Sequence, residues 1–442
     1  MSRLRQFSQI LFGLMLFLLL VSHASSQGGP FSWLPLPLPT AVSGYGWQIG
    51  VLSLLPLLVV GGWWLGSQTP TLALPLLGKG DGSLSLEGEG WGEGGIVVPL
   101  ATFSLLVLLR LNSATVHLVA MLGLCWLIYL FLVNHPTWQQ KWLWRVLAGV
   151  LLVQGAVAVC QFILQRELGS AWLGEPTLDL LVEGTSVAQR DGQNWLRAYG
   201  LNSHPNQLGL LLTTLILLIW PQQARLEPLA LRGFFWLALL VGVAGLLVSL
   251  SRSAWLALGV GGVIFLIHRR PALRRSWRHF AVPLAILLAS ILLFVLVYGD
   301  LMASRLVALD SPLESRSLWE RQRDLGIAVQ LIGKRPFLGT GLGQYLAAAQ
   351  AINPSAVTVH NVPLLMGAEL GAVGLILWLL FWLWPLGRYG RSAKHRVGTA
   401  VWLALIVMGL VHPEPTLFLP KGAVLWGLAA AQWHAVEPGG GE

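Results

Sequence analysis

Apolar runs recur along this chain, each long enough to reach across a bilayer or close to it, and each nearly empty of charge. A helix needs about 20 residues to cross about 30 Å of hydrocarbon, where only self-satisfied backbone is tolerated. Twelve such runs are legible: 7–21, 42–65, 96–111, 115–133, 143–164, 207–220, 229–248, 254–267, 280–298, 362–384, 397–411 and 423–433. Of the 442 residues, 55% are hydrophobic and 11% charged, against roughly 25% charged in a soluble domain. So few charges could not wet a soluble surface, and so apolar a chain does not stay disordered. The expected fold is all-α: a polytopic membrane protein of about 12 transmembrane helices with both termini cytoplasmic.

The formal charge of +9 would suggest nucleic acid in a soluble chain. Here the basic residues gather in short loops, as they do on the cytoplasmic side of membrane proteins, so no nucleic-acid partner is expected. The stretch 268–279 reads HRRPALRRSWRH, with five Arg and no acid. Arg388, Arg391, Lys394 and Arg396 crowd a second loop, Lys141 and Arg145 a third, and Arg225 and Arg232 a fourth. With a cytoplasmic N-terminus and the run 7–21 retained, all four fall on the same side. Ser22-His23-Ala24 faintly resembles a cleavage site, but retention balances the topology. Two long stretches then face outward, 165–206 and 299–361. The Gly-rich stretch 78–95 falls inside and reads as a flexible loop, since it lacks the Lys-Ser/Thr of a phosphate-binding loop. Cys125 and Cys160 sit in apolar runs and offer neither a disulfide framework nor a zinc site. The chain divides into N-terminal helices over 1–164 and a core over 165–442 that includes the outer loop 299–361.

Within that loop, Ser311-Pro312-Leu313-Glu314 has the form of a capping box with proline at the first helical position, and Gly333 offers a stop. The helix between would set Leu318, Leu325, Val329 and Ile332 on one side and Arg316, Glu320 and Arg323 on another. Such a helix lies on a membrane or over a cavity. After it, Gly339-Thr340-Gly341-Leu342-Gly343 reads as a tight turn.

The polar residues that could do chemistry cluster at the outer mouths of the spans. Arg197 and His204 lead into the run at 207. Arg252 stands between two spans with almost no loop around it, where a guanidinium calls for an anionic partner. Arg316 opens the amphipathic helix, and His360-Asn361 opens the run at 362. Each has an ordinary reading: an arginine at this depth snorkels to lipid phosphate, and a histidine at a helix start caps or packs. Glu369 lies about 13 Å along the helix from His360, deep enough that a carboxyl is either paired or functional. His412-Pro413-Glu414-Pro415 reads as a rigid outer turn. Three Arg and two His on one side nevertheless form a coherent set. Guanidinium groups bind phosphate bidentately, and a neutral imidazole can take a proton from an attacking hydroxyl. The residues by themselves point to metal-independent transfer from a lipid-linked phosphate at the outer face, with no cofactor.

Four stretches in order, RAYGLNSHPNQLGLLL from Arg197, SLSRSAWLALG from Ser249, SRSLWERQRDLGIAVQLIGKRPFLGTGLGQY from Ser315 and HNVPLLMGAELGAVGL from His360, resemble the O-antigen ligase and polymerase superfamily. The last matches its pattern of His-Asn, nine residues, then Gly, ending at Gly371. The resemblance implies an inverting membrane glycosyltransferase in the plasma membrane, with an undecaprenyl-diphosphate-linked glycan as donor and an extracytoplasmic site. It makes His360 the catalytic base. Arg197, Arg252 and Arg316 would hold the diphosphate, with His204 and Asn361 lining the substrate site and Glu369 supporting His360 or Arg252. A glycan, a lipid or a protein hydroxyl could be the acceptor. A transporter of a small anion or a lipid-linked substrate, and a non-catalytic part of a surface-polysaccharide assembly complex, remain alternatives; against the transporter, few ionisable residues lie at mid-membrane.

Overall fold

The computed structural model describes residues 9–10, 12–17, 20, 113–135, 142–180, 184–190, 192–225, 229–268, 278–306, 312–390, 395–413, 415 and 420–433. The expected spans 42–65 and 96–111, the glycine-rich stretch 78–95, most of the arginine loop at 268–279, and Ser311, Arg391, Lys394 and Lys141 lie outside the described residues.

Every expected run from 115–133 onward coincides with a helix. In chain order these are α1 (Ser113–Asn134), α2 (Trp144–Leu164), α3 (Pro205–Ile219), α4 (Leu229–Val248), α5 (Arg252–His268) and α6 (Arg278–Leu306), and after the outer loop α9 (Val362–Tyr389), α10 (Arg396–Val411) and α11 (Pro420–Ala431). Between them the loop carries α7 (Pro312–Lys334) and the short α8 (Tyr345–Gln350). Among the described residues, four helices are long and apolar enough to cross a membrane, within α2, α4, α6 and α9, and shorter apolar helices lie within α1, α5, α10 and α11. The chain is thus a mostly helical, multi-pass membrane protein.

The first apolar run joins the bundle: Phe12 stacks on Phe131 of α1 at 3.7 Å between ring centroids, and the Leu20 carbonyl accepts from Gln154 Nε2 of α2. On α6, Leu293 and Leu296 point outward at 64% and 73% exposure, as a lipid-facing helix requires. α6 bends at Tyr298 and runs on to Leu306, so the stretch expected to leave the membrane at 299 starts as more helix.

Two further differences from the sequence reading concern the outer loops. The first is a small antiparallel hairpin, β1 (Val187–Arg190) and β2 (Gln193–Leu196), in a chain expected to be all-α. The register pairs Arg190 with Gln193, and Gly192 just before β2 takes φ 76, the left-handed backbone that tight hairpin turns use. The second is the end of α7. Gly333 does not stop it; the helix ends one residue later, at Lys334, because Pro336 disfavours helical backbone at Arg335.

The helices alternate direction, so their ends sort into two groups. Arg197 bonds the Ser249 carbonyl after α4, Arg252 at the start of α5 bonds the Arg305 carbonyl near the end of α6, and Asn361 before α9 bonds the Leu410 carbonyl in α10. The mouths of α3, α5 and α9 and the ends of α4, α6 and α10 therefore meet at one end. Arg145, Arg225, Arg232, Arg388 and Arg396 belong to the opposite helix ends.

Candidate functional site

The loop leading to α3 is tied down from α2. Gln161 accepts from the amides of Tyr199 and Gly200 and donates to the Gly200 carbonyl and Glu175. Two helical turns earlier, Gln154 accepts from the Leu201 amide and Asn202. Two buried glutamines thus satisfy a stretch of irregular backbone that apolar surroundings would otherwise penalise. They fix Arg197 and His204 relative to the bundle.

Arg197 is 6% exposed. Its Nε donates to Ser249 O at 3.1 Å and its Nη2 to Asn206 Oδ1 at 3.0 Å. The turn it grips, between α4 and α5, holds Leu250 at φ 49, a left-handed conformation that costs a bulky residue energy and that the surroundings must enforce. That turn sets Arg252 at the mouth, half-buried, with its Nη1 on Arg305 O at 2.9 Å.

His204 caps α3: its Nδ1 accepts from the Asn206 amide at 3.1 Å. Its Nε2 then carries the proton and faces Ser186 Oγ at 3.1 Å. Asn206 is the hub. Its Oδ1 accepts from Arg197 and from Ser251 Oγ, so its amide nitrogen is the donor to His412 Nδ1 at 3.2 Å. The His412 ring meets His360 edge to face, with centroids 5.6 Å apart. His360 Nδ1 is buried and without a hydrogen-bond partner among the described residues.

All three imidazoles are held neutral. Burial lowers His360 to about 4, with the Arg321 guanidinium adding to it and Glu320 opposing. Burial lowers His204 to about 3, helped by Arg197, His360, Arg321 and Arg305. His412 is lowered well below its ordinary value by burial, then by Arg321 and its neighbours. A cationic field around neutral rings favours an anion in the same place.

The remaining expected residues fall as follows. Asn361 caps α9, accepting from the Leu364 amide at 2.9 Å while donating to Leu410 O; its amide joins α9 to α10. Glu369 is buried, and its Oε1 accepts from the Tyr345 amide at 3.2 Å, with a second backbone bond from Gly343. Its bonds therefore run to the glycine turn at 339–345 rather than to His360 or Arg252, the partners the sequence reading gave it. That turn lies against a break in α9 at Gly371, where φ is 68. A Cβ at Gly371 would strike the Phe337 backbone, which is why this position is glycine.

Arg316 pairs with Glu320 one turn along its own helix at 2.9 Å, with its side chain 65% exposed. The α7 arginine that acts on the histidines is Arg321, three residues before buried Asp324. The stripe Asp324, Ile327, Ala328 and Leu331 is the buried face of α7, while Leu318, Trp319, Leu325 and Val329 are exposed. The sequence reading set Leu318, Leu325, Val329 and Ile332 on one side and Arg316, Glu320 and Arg323 on another, and named Arg316 rather than Arg321 for the site. It also took His412 for part of a turn. The signal available for His412 was its place at the end of an apolar run next to proline, the same setting in reverse as His204-Pro205.

These features define a helical membrane protein with a neutral histidine cluster under arginine control, gathered at one end of its spans. Residues 236–379 match the O-antigen ligase family. That stretch is similar to an O-antigen ligase domain, and the likeness supports a glycan-transfer function in a membrane, within polysaccharide biosynthesis, with a lipid-linked glycan and an acceptor as the partners such a domain implies. The match takes in Arg252, Arg316, Arg321, His360, Asn361 and Glu369; Arg197, His204 and His412 lie beyond it. No curated protein matches the chain.

Proposed function

We propose that the chain is a metal-independent, inverting glycosyltransferase of the plasma membrane. It moves a glycan from undecaprenyl diphosphate to an acceptor hydroxyl at the outer face. The observation that supports this best is a neutral, partly buried His360 with one buried, unbonded nitrogen, standing among arginines. His360 takes the proton of the acceptor hydroxyl as that oxygen attacks the anomeric carbon. The bond from that carbon to the diphosphate oxygen breaks, and the diphosphate leaves with its charge held by guanidinium groups. Arg252 and Arg321 are the groups proposed to meet the diphosphate. Arg197, engaged with Ser249 and Asn206, acts from behind and holds the site in shape. His204 keeps α3 capped. Asn361 positions His360, and Glu369 the glycine turn. Arg316 lies at the edge of this arrangement. The acceptor is a lipid, glycan or protein hydroxyl.

The outward orientation is supported by the basic residues, which sit at the helix ends opposite His360, where cytoplasmic loops carry them. Deleting the gene should remove a surface glycan while the lipid-linked donor accumulates. Reporter fusions after Gly299 and after Arg270 should read opposite sides. A normal glycan profile, with no donor accumulating, would remove the transferase reading. Chelator should leave transfer unchanged, because the arginines supply the positive charge at the leaving group.

A further inference from the structure

His412 stands beside the proposed base without a role in the transfer as described. We infer that it is a positioning residue, bonding Asn206 through Nδ1 and walling His360 off from water with its ring. The inference rests on His360 being the base.

His412 is fixed before its side chain does anything. Its amide closes α10 on the Met408 carbonyl at 2.8 Å, and Pro413 follows. The residue is 3% exposed. Asn206 can offer it only a donor, because Asn206 Oδ1 already accepts from Arg197 and Ser251. A neutral His412 therefore carries its proton on Nε2, and its ring has one orientation. His360 lacks such a bond: its buried Nδ1 has no partner among the described residues. A ring is normally oriented by the hydrogen bond at its second nitrogen. Here the edge-to-face contact with His412, at 5.6 Å and 69°, is what stands against it. The same contact keeps water from that side. The chain Arg197, Asn206, His412, His360 thus runs without a gap from the α4–α5 turn to the base, joining the guanidinium side of the site to the proton acceptor. The charged and titratable groups around His360 are Arg321 and Glu320 from α7, His412 from α10 and His204 at the mouth of α3.

Two substitutions separate the bond from the wall. His412→Asn leaves a carbonyl near the Nδ1 position for Asn206 but removes the ring. His412→Phe keeps the ring and removes the acceptor. The full chain is reconstituted in lipid nanodiscs, with lipid-linked glycan from cells lacking the gene as donor and their envelope lipid as acceptor. His412→Asn should move the acid limb of kcat/KM up from near 4 toward about 6.5. It should also lower kcat by about 10- to 100-fold, the scale of a small misplacement of a reacting group. His412→Phe should keep the acid limb near its original position and raise KM for the donor. An unmoved acid limb in His412→Asn would overturn the inference, whether activity is normal or falls only in step with thermal stability. If His412→Phe alone folds, an unchanged donor KM overturns it. His360→Ala in the same assay separates the two readings. If that variant still transfers, the base assignment itself is wrong. If it is inactive while both His412 variants behave as wild type, only the present inference fails.

Discussion

The contact between α2 and α4 and the mouth formed by α3, α9 and α10 are both buried, and they are held together by opposite means. Where α2 meets α4, glycines let each helix pack directly on its neighbour's backbone and side chains. A methyl on Gly155 would stand 2.5 Å from the Val241 carbonyl oxygen, and one on Gly242 would strike Leu151. In lipid no hydrophobic drive pushes two helices together, so close approach of backbones through small residues does it. At the mouth, the contacts are directional: Arg197, Ser251, Asn206 and His412 form one connected set of hydrogen bonds. A polar set of this kind fixes geometry and is costly if any member is removed. The first region can tolerate no added atoms. In the second a lost bond leaves a buried polar group unsatisfied, yet a bulky left-handed residue, Leu250, is accepted in its midst.

The comparison breaks most visibly at the glycines. Gly155→Leu should prevent accumulation of folded protein, since backbone stands where the side chain must go; the cost exceeds the roughly 1–3 kcal/mol of ordinary overpacking. Yield and monodispersity in detergent measure it. At the mouth, His360→Ala should behave in the opposite way. Folded yield and donor binding stay near normal while transfer falls by about 100- to 10,000-fold, the range for a general base. Next is Arg252→Lys, which keeps charge but loses the planar fork. It should cost about 100-fold in transfer, the size of one lost oxyanion contact, and Arg252→Ala little more. The two α7 arginines give a sharper contrast: Arg321→Ala should lower transfer about tenfold, whereas Arg316→Ala should stay within about threefold, since an exposed i,i+4 pair contributes little. Equal losses would return Arg316 to the site. The smallest effect is on stability. His204 and His360 are held near 3 and 4 in the folded chain, below an ordinary value of 6.5. Between about 4 and 6.5 the unfolded chain binds more protons, so stability falls as pH falls through that window. A melting temperature a few degrees lower at pH 5 than at pH 7 is expected. His360→Ala should reduce that difference.

Much of this was legible in the residues before the fold. Arg252 stood out because so short a turn between apolar runs leaves a guanidinium no escape to water. His360 stood out because a ring at a helix mouth beside Asn and before Pro marks a start. Asn361 was read as a substrate ligand, but its side chain belongs to the cap and to α10. Such a choice cannot be made from neighbours in sequence, since a capping amide and a binding amide look alike there. Arg321 was missed because a helix with three arginines and two apolar stripes does not say which stripe meets protein and which meets lipid. His412 was missed because its partners are far from it in the chain: Asn206 is 206 residues away.

The sequence by itself determined that this chain lives in a membrane, and where its helices run from residue 113 onward. Those are properties of local composition set against a solvent that rejects unbonded backbone. The resemblance in its motifs reached the same family that residues 236–379 match. Only the tertiary structure decided that His204, His360 and His412 share one mouth, that Arg197 braces it, and that Glu369 turns toward the glycine loop. Each of these depends on which ends of antiparallel helices meet, and hydrogen bonds act over about 3 Å, a distance that chain separation cannot reveal.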